Sequence, residues 1–113
     1  MIVDDDRTTV KLLQTLLELD GFEISVSHTG GGVMDLVNSV HPDVILMDYH
    51  LSDMDGVDVL RDLRKTEAFG NLPIVMTSGL DVEDEVMDAG ANAFLVKPFE
   101  PDELPELFRK LIG

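Results

Sequence analysis

The sequence predicts a doubly wound α/β fold: a five-stranded parallel sheet in the order 2-1-3-4-5 with helices on both faces. Three observations carry this. Five short apolar runs alternate along all 113 residues with segments of helical hydrophobic spacing. The intervals are helix-length crossovers, which join parallel strands in a right-handed sense and cover the sheet on both sides. The second run alternates apolar and polar residues, so it belongs at an edge, which the order 2-1-3-4-5 provides. In that order the topological switch lies between strands one and three, and ligands bind at the carboxyl ends of the strands.

The first strand is Ile2-Val3, short because the sequence starts at Met1, so that a few further ordered residues are expected upstream of this numbering. Val10, Leu13 and Leu17 then recur at helical spacing, and Gly21 marks the exit. The second strand is read as Phe22 to Val26, the alternating run. Gly30-Gly31-Gly32 is a flexible lead-in to a second helix carrying Val33, Leu36, Val37 and Val40; it lacks the lysine of a phosphate-binding P-loop. The third strand, Val44 to Met47, is apolar throughout, and Val57, Leu60 and Leu63 form the face of the helix after it. Beyond Gly70, the fourth strand is Ile74 to Met76, followed by a helix with Asp81 as its N-cap before Val82, Val86 and Ala89. After Gly90 the fifth strand is Ala93 to Val96, read like the third and fourth as covered on both faces. The last helix carries Leu104, Leu107, Phe108, Leu111 and Ile112, and Pro105 requires it to start late or kink.

Nothing divides the chain into parts, so one domain spanning 1–113 is expected. The absence of Cys removes disulfides, thiolate metal sites and thiol catalysis together. With 23 Asp plus Glu against 8 Lys plus Arg, the formal charge of -15 repels phosphodiester backbones and anionic lipid, so direct nucleic-acid binding is not expected. No apolar run approaches the ~20 residues of a membrane span, and the acidic start Met1-Ile2-Val3-Asp4-Asp5-Asp6 is not that of a signal peptide. A soluble, cytoplasmic protein is the expectation.

The chemistry lies in the polar residues that end four of the strands: Asp4-Asp5-Asp6, Asp48, Thr77-Ser78 and Lys97-Pro98. In a parallel sheet with strands ~4.8 Å apart these groups converge on one crevice. Two carboxylates ~5 Å apart at an effective dielectric near 20 repel by roughly 3 kcal/mol, and Asp4, Asp5 and Asp48 make three such pairings against one lysine. Either some carboxyls take up protons or a hard divalent cation sits among them. The cation is preferred, and oxygen ligands with an open shell suit Mg²⁺. Asp48 emerges from the centre of the sheet, where a carboxylate can act as a nucleophile towards phosphorus. Lys97 and the Thr77 hydroxyl complement it, as donors to the oxygens of a transferred phosphoryl group.

Taken in order, Ile2-Val3-Asp4-Asp5-Asp6, Pro42-Asp43-Val44-Ile45-Leu46-Met47-Asp48, Met54-Asp55-Gly56, Pro73-Ile74-Val75-Met76-Thr77-Ser78, Gly90-Ala91 and Lys97-Pro98-Phe99 resemble the receiver domain of two-component response regulators. The resemblance covers essentially the whole chain and implies the flavodoxin-like, CheY-like form of this fold. It implies that Asp48 is the phosphoacceptor, taking its phosphoryl group from a phosphohistidine on a sensor histidine kinase or phosphotransfer protein. It further implies that Asp5 binds Mg²⁺ directly, that Asp4 holds it mainly through water, and that the backbone carbonyl of His50 completes the protein ligands. Thr77 would rotate onto the new phosphoryl group, Phe94 would turn inward behind it, and Lys97 would pair with a phosphoryl oxygen. The surface of the fourth helix, fifth strand and fifth helix would change with them, as a docking face for partners or a second copy. Two positions depart from the family: Ser52 stands where proline is frequent, which implies a looser loop over the site, and the aromatic switch is Phe94 rather than tyrosine.

Each reading has a plainer rival. A lone acidic pair is ordinarily a solvated turn, Lys97 a surface lysine and Thr77 a turn hydroxyl; the coincidence at four strand ends decides against these. Asp53-Met54-Asp55-Gly56 fails as a calcium loop, because the register puts Leu51 and Asp62 where a liganding acid and a glutamate are required. His28 and His41 read as loop residues, whereas His50, two residues past Asp48, is placed to influence phosphoryl lifetime. The alternative function is a Mg-dependent phosphatase with an aspartyl-phosphate intermediate; it would want an acid at position 50 and a substrate pocket, so turnover of external substrates is not expected. A flavin-type cofactor binder is disfavoured because three aspartates would face the cofactor phosphate.

Overall fold

The computed structural model describes residues 1–113. The elements run β1 (Ile2–Val3), α1 (Arg7–Leu19), β2 (Val26–Ser27), α2 (Val33–Val40), β3 (Ile45–Asp48), α3 (Gly56–Lys65), a 3-10 turn (Glu67–Phe69), β4 (Ile74–Ser78), α4 (Glu83–Asp88), β5 (Ala93–Val96) and α5 (Glu103–Ile112). All pairings are parallel, in the order β2-β1-β3-β4-β5, as the sequence predicts. No helix is long and apolar enough to cross a membrane.

Continuously apolar strands feed two cores, because successive side chains point to opposite faces of a sheet. Val3, Ile45, Met47, Ile74 and Met76 pack with Val33 and Val37 of α2, Val57, Leu60 and Leu63 of α3 and Val86 of α4. Their neighbours Ile2, Leu46 and Val75 face the other way, onto Val10, Leu13 and Leu17 of α1 and Leu104 and Phe108 of α5. Of the helical positions read as core, Val10, Leu13, Leu17, Val33, Val37, Val57, Leu60, Leu63, Val86, Leu104 and Phe108 are buried; Leu36, Val82, Ala89, Leu107 and Leu111 are half-buried at the margins of the two cores, and Val40 and Ile112 at the helix ends are exposed.

Four local expectations are corrected. β2 is confined to Val26–Ser27 rather than Phe22 to Val26, because the two residues of β1 are all it can pair with: Ile2 opposite Val26 and Val3 opposite Ser27. β5, at the edge the predicted order gives it, is less covered than its continuous apolar run implied: Ala93, Phe94 and Leu95 are half-buried and Val96 is 55% exposed. Asp81 does not cap α4; the capping position is Val82, which makes no side-chain capping bond. Gly30-Gly31-Gly32 is not a loose lead-in: Gly30 is buried, and the amides of Gly30 and Gly31 are hydrogen-bonded to Asp53. Pro105 falls in the first turn of α5, where amides have no intrahelical acceptor to lose, so the helix accommodates it by starting at Glu103.

Candidate functional site

The carboxyl ends of four strands build an acidic pit. β1 delivers Asp4 and Asp5, and β3 ends on Asp48. In the register of β3 with β4, Asp48 stands opposite Thr77, so the two side chains rise from adjacent strands. β5 hands the chain to Lys97, whose amide donates to the Ser78 carbonyl at 2.8 Å before a cis Lys97-Pro98 peptide. Carboxylate oxygens of Asp4, Asp5 and Asp48 all lie within 4.8 Å of one another. The Lys97 ammonium bridges two of these groups, at 3.1 Å from Asp4 Oδ2 and 3.4 Å from Asp48 Oδ1. Asp4, Asp48 and Thr77 are buried, and with Lys97 and Phe99 they line one small recess.

The third acid of the opening run has a separate task. Asp6 caps α1, its carboxylate accepting from the amides of Thr8 and Thr9 and from the Thr9 hydroxyl. Those bonds hold its pKa below the usual carboxylate value. Asp4 is oriented from both sides: its Oδ1 accepts from the Asp6 amide at 3.0 Å, and its carbonyl lies 3.0 Å from His28 Nδ1, the donor of that pair. His28, read from the sequence as a plain loop residue, is thus tied to the pit.

Burial is the main cause that pushes the Asp48 carboxyl above its ordinary pKa; Lys97 opposes the shift, and the charge of Asp4 adds to it. Lys97 is also desolvated, which alone would lower its pKa. Its hydrogen bond to Asp4 and the charges of Asp4 and Asp48 outweigh this and raise it. The Lys97 shift records two carboxylates around one ammonium, whereas the Asp48 shift records burial that Lys97 only partly offsets. Three convergent carboxylates, two of them buried, are a donor set of the kind a hard, oxygen-seeking cation takes.

His50 and Phe94 sit differently. The loop after β3 closes on itself, with Gly56 N–H donating to Tyr49 O at 2.6 Å and Leu51 N–H to Met54 O at 3.2 Å. These bonds flank the isolated bridge of His50 with Asp55 and leave the His50 carbonyl out of the pairing. The His50 ring packs edgewise on Tyr49, with centroids 4.6 Å apart. Phe94, opposite Met76 in the sheet, packs half-buried against the core under α2, α3 and α4 rather than lining the recess. Gly56 is required by close approach: a Cβ there would stand 2.1 Å from the Asp48 carbonyl oxygen.

Two contacts near the pit escape sequence reading. The Tyr49 hydroxyl donates to Glu85 on α4, which pushes the tyrosine pKa up to about 12. The other is the pair of bonds from Asp53 to the glycine run. Both join residues more than 20 positions apart by side-chain geometry alone, a kind of signal that hydrophobic period does not carry.

Clustered acids, a hydroxyl and a lysine at the carboxyl ends of a doubly wound sheet stand where proteins of this fold class bind their ligands. The chain belongs to the response regulator receiver domain family, whose profile matches residues 1–109. It is 36% identical over 107 residues to the regulatory protein AtoC of Escherichia coli, covering 92% of this chain and 23% of that protein. It superposes on a putative response regulator from Chloroflexus aurantiacus with a TM-score of 0.92 at 30% identity, over 98% of this chain and 93% of the other. The receiver domain of the sensor histidine kinase PA1611 from Pseudomonas aeruginosa, at 27% identity and a TM-score of 0.89, covers 99% of this chain and 94% of its own. That structure carries a magnesium ion coordinated in the active-site cleft. The chain spans about half the length, or less, of the curated relatives it matches.

Proposed function

We propose that residues 1–113 act as one phosphoacceptor receiver domain, with Asp48 receiving the phosphoryl group of a phosphohistidine on a sensor histidine kinase or phosphotransfer protein. The observation that carries this reading is the bridge from Lys97 to both Asp4 and Asp48, with Asp5 within reach of the same point. Asp4, Asp5, Asp48 and the His50 carbonyl would hold Mg²⁺. When bound, the cation neutralises the acid cluster and offsets charge on the phosphoryl oxygens.

A carboxylate oxygen of Asp48 attacks phosphorus in line with the departing imidazole nitrogen. An O–P bond forms and the N–P bond breaks; the imidazole keeps the electron pair and takes up a proton. Lys97 pairs with one phosphoryl oxygen and the Thr77 hydroxyl donates to another, both aimed at charge present in the transition state. With its ammonium drawn to the phosphoryl group, Lys97 loosens from Asp4. Thr77 and Phe94 would pass the change on to the face formed by α4, β5 and α5, where Met87 and Val96 are exposed. A partner domain or a second copy of the chain would dock there. Working in the cytoplasm with a self-limited reaction on its own aspartate, the chain would not turn over external phosphoesters as a phosphatase does.

The test is labelling by acetyl phosphate or phosphoramidate with Mg²⁺. Intact-mass spectra should show a single added phosphoryl group, lost in Asp48→Asn. Equal labelling of Asp48→Asn would overturn the assignment, and rapid multiple turnover of a chromogenic phosphate ester would favour the phosphatase.

A further inference from the structure

The glycine run and the loop after β3 meet in a contact that the phosphoryl chemistry does not use. Residues 49 to 56 form a closed loop, tied across its base by the Gly56–Tyr49 bond and nearer its tip by the Leu51–Met54 bond. At the tip, one carboxylate oxygen of Asp53 accepts from the Gly30 amide and the other from the Gly31 amide, each at 2.9 Å. Both glycine positions are shaped for this approach. A Cβ on Gly30 would stand 2.5 Å from Met54 Cγ, and one on Gly31 would stand 3.2 Å from Asp53 Oδ2. An ionised acceptor on two backbone donors is the stronger kind of hydrogen bond. The two donors also hold the Asp53 carboxyl below its usual pKa.

We propose that Asp53 is a positioning residue of the receiver site: by clasping the Gly30 and Gly31 amides it holds the loop of residues 49 to 56, and with it the His50 carbonyl, in the place from which the cation is bound. This rests on the reading of the pit as a Mg²⁺ and phosphoryl site. Asp53 itself touches neither. It acts through a loop so short that a shift at its tip is carried to His50, three residues away. The clasp supplies from outside the restraint that a proline at position 52 would supply from within the chain, where this sequence has Ser52.

The test compares the parent with Asp53→Ala and Asp53→Asn, the second keeping one acceptor oxygen for one amide. In metal-free protein, amide hydrogen exchange at Gly30, Gly31 and residues 49 to 55 should quicken in Asp53→Ala, while the amides of β3 and β4 stay protected. The Mg²⁺ concentration that half-saturates acetyl phosphate labelling should rise about tenfold, with the rate at saturating Mg²⁺ unchanged within about twofold. Asp53→Asn should fall between the two on both measures, an order that general destabilisation would not produce. Unchanged exchange at the two glycines, or quickened exchange with an unchanged Mg²⁺ requirement, would overturn the proposal while leaving the receiver reading intact. A parent that takes no label at any Mg²⁺ concentration would overturn the receiver reading and the positioning role together.

Discussion

Asp48 bears a costly charge, since it is buried beside two like charges and its only counter-ion is shared with Asp4. Its raised pKa has a definite linkage sign. A carboxyl that binds its proton more tightly when folded lends stability below the ordinary carboxylate pKa, and that stability is lost as pH rises through the raised value. Metal-free Asp48→Asn should therefore unfold at a higher temperature than the parent near neutral pH, and the gap should narrow as the pH falls towards about 4. Added Mg²⁺ should raise the parent's midpoint and leave that of Asp48→Asn nearly fixed. Melting curves by circular dichroism check both, and a variant less stable than the parent at neutral pH without metal would contradict the charge argument. Lys97 gives the complementary case. Lys97→Gln leaves three carboxylates facing one another, so its metal-free form should melt below the parent at neutral pH and recover on acidification. Its labelling rate should fall about a hundredfold, the usual scale for losing one donor aimed at transition-state charge.

At the scale of elements, the join of β3 to α3 sets where Asp48 points, and Gly56 sets the join. Gly56→Ala places a methyl group against the Asp48 carbonyl oxygen, a backbone atom that cannot rotate away. The expected cost is about 1–3 kcal/mol, with slower labelling even where the variant is fully folded. Leu60→Ala, by contrast, empties a fully buried site between α3 and the sheet and should cost about 2–5 kcal/mol with little change in labelling below the transition. Denaturant unfolding paired with labelling rates separates the two; equal losses of labelling would show that Gly56 acts only through stability. The same scale shows what the sequence could and could not convey. Hydrophobic period located the centre of each helix face, since burial leaves a pattern in the residues themselves, and the strand order came from the alternation of the second strand joined to the usual order of a doubly wound sheet. The convergence of Asp4, Asp5, Asp48, Thr77 and Lys97 followed from strand order alone. The length of β2 was hidden, because the alternation from Phe22 to Val26 records which residues face the core, whereas pairing stops where β1 stops. β5 misled in the opposite sense: Ala93, Phe94 and Leu95 are apolar yet only half covered, for an edge strand can lean its side chains on α4 and α5 without being enclosed. The clasp of Asp53 on Gly30 and Gly31 left no periodic trace at all.

For the molecule as a whole, a formal charge of -15 on 113 residues means that folding concentrates repulsion that the extended chain dilutes. Part of that repulsion lies in the pit, where solvent and salt screen weakly, and part on the surface, where a Debye length of about 10 Å at 0.1 M salt screens well. The two parts are separable. Raising NaCl from about 0.01 M to about 0.3 M should raise the unfolding midpoint of the metal-free protein by relieving the surface share. Asp48→Asn should respond to NaCl nearly as the parent does, because the group it removes is buried. Mg²⁺ should still raise the parent's midpoint at the high NaCl concentration, since a bound cation acts at the acids of the pit and a diffuse atmosphere does not. Were the Mg²⁺ response of the parent abolished by NaCl, the ion would be acting as surface screening, and the three converging carboxylates would not constitute a site.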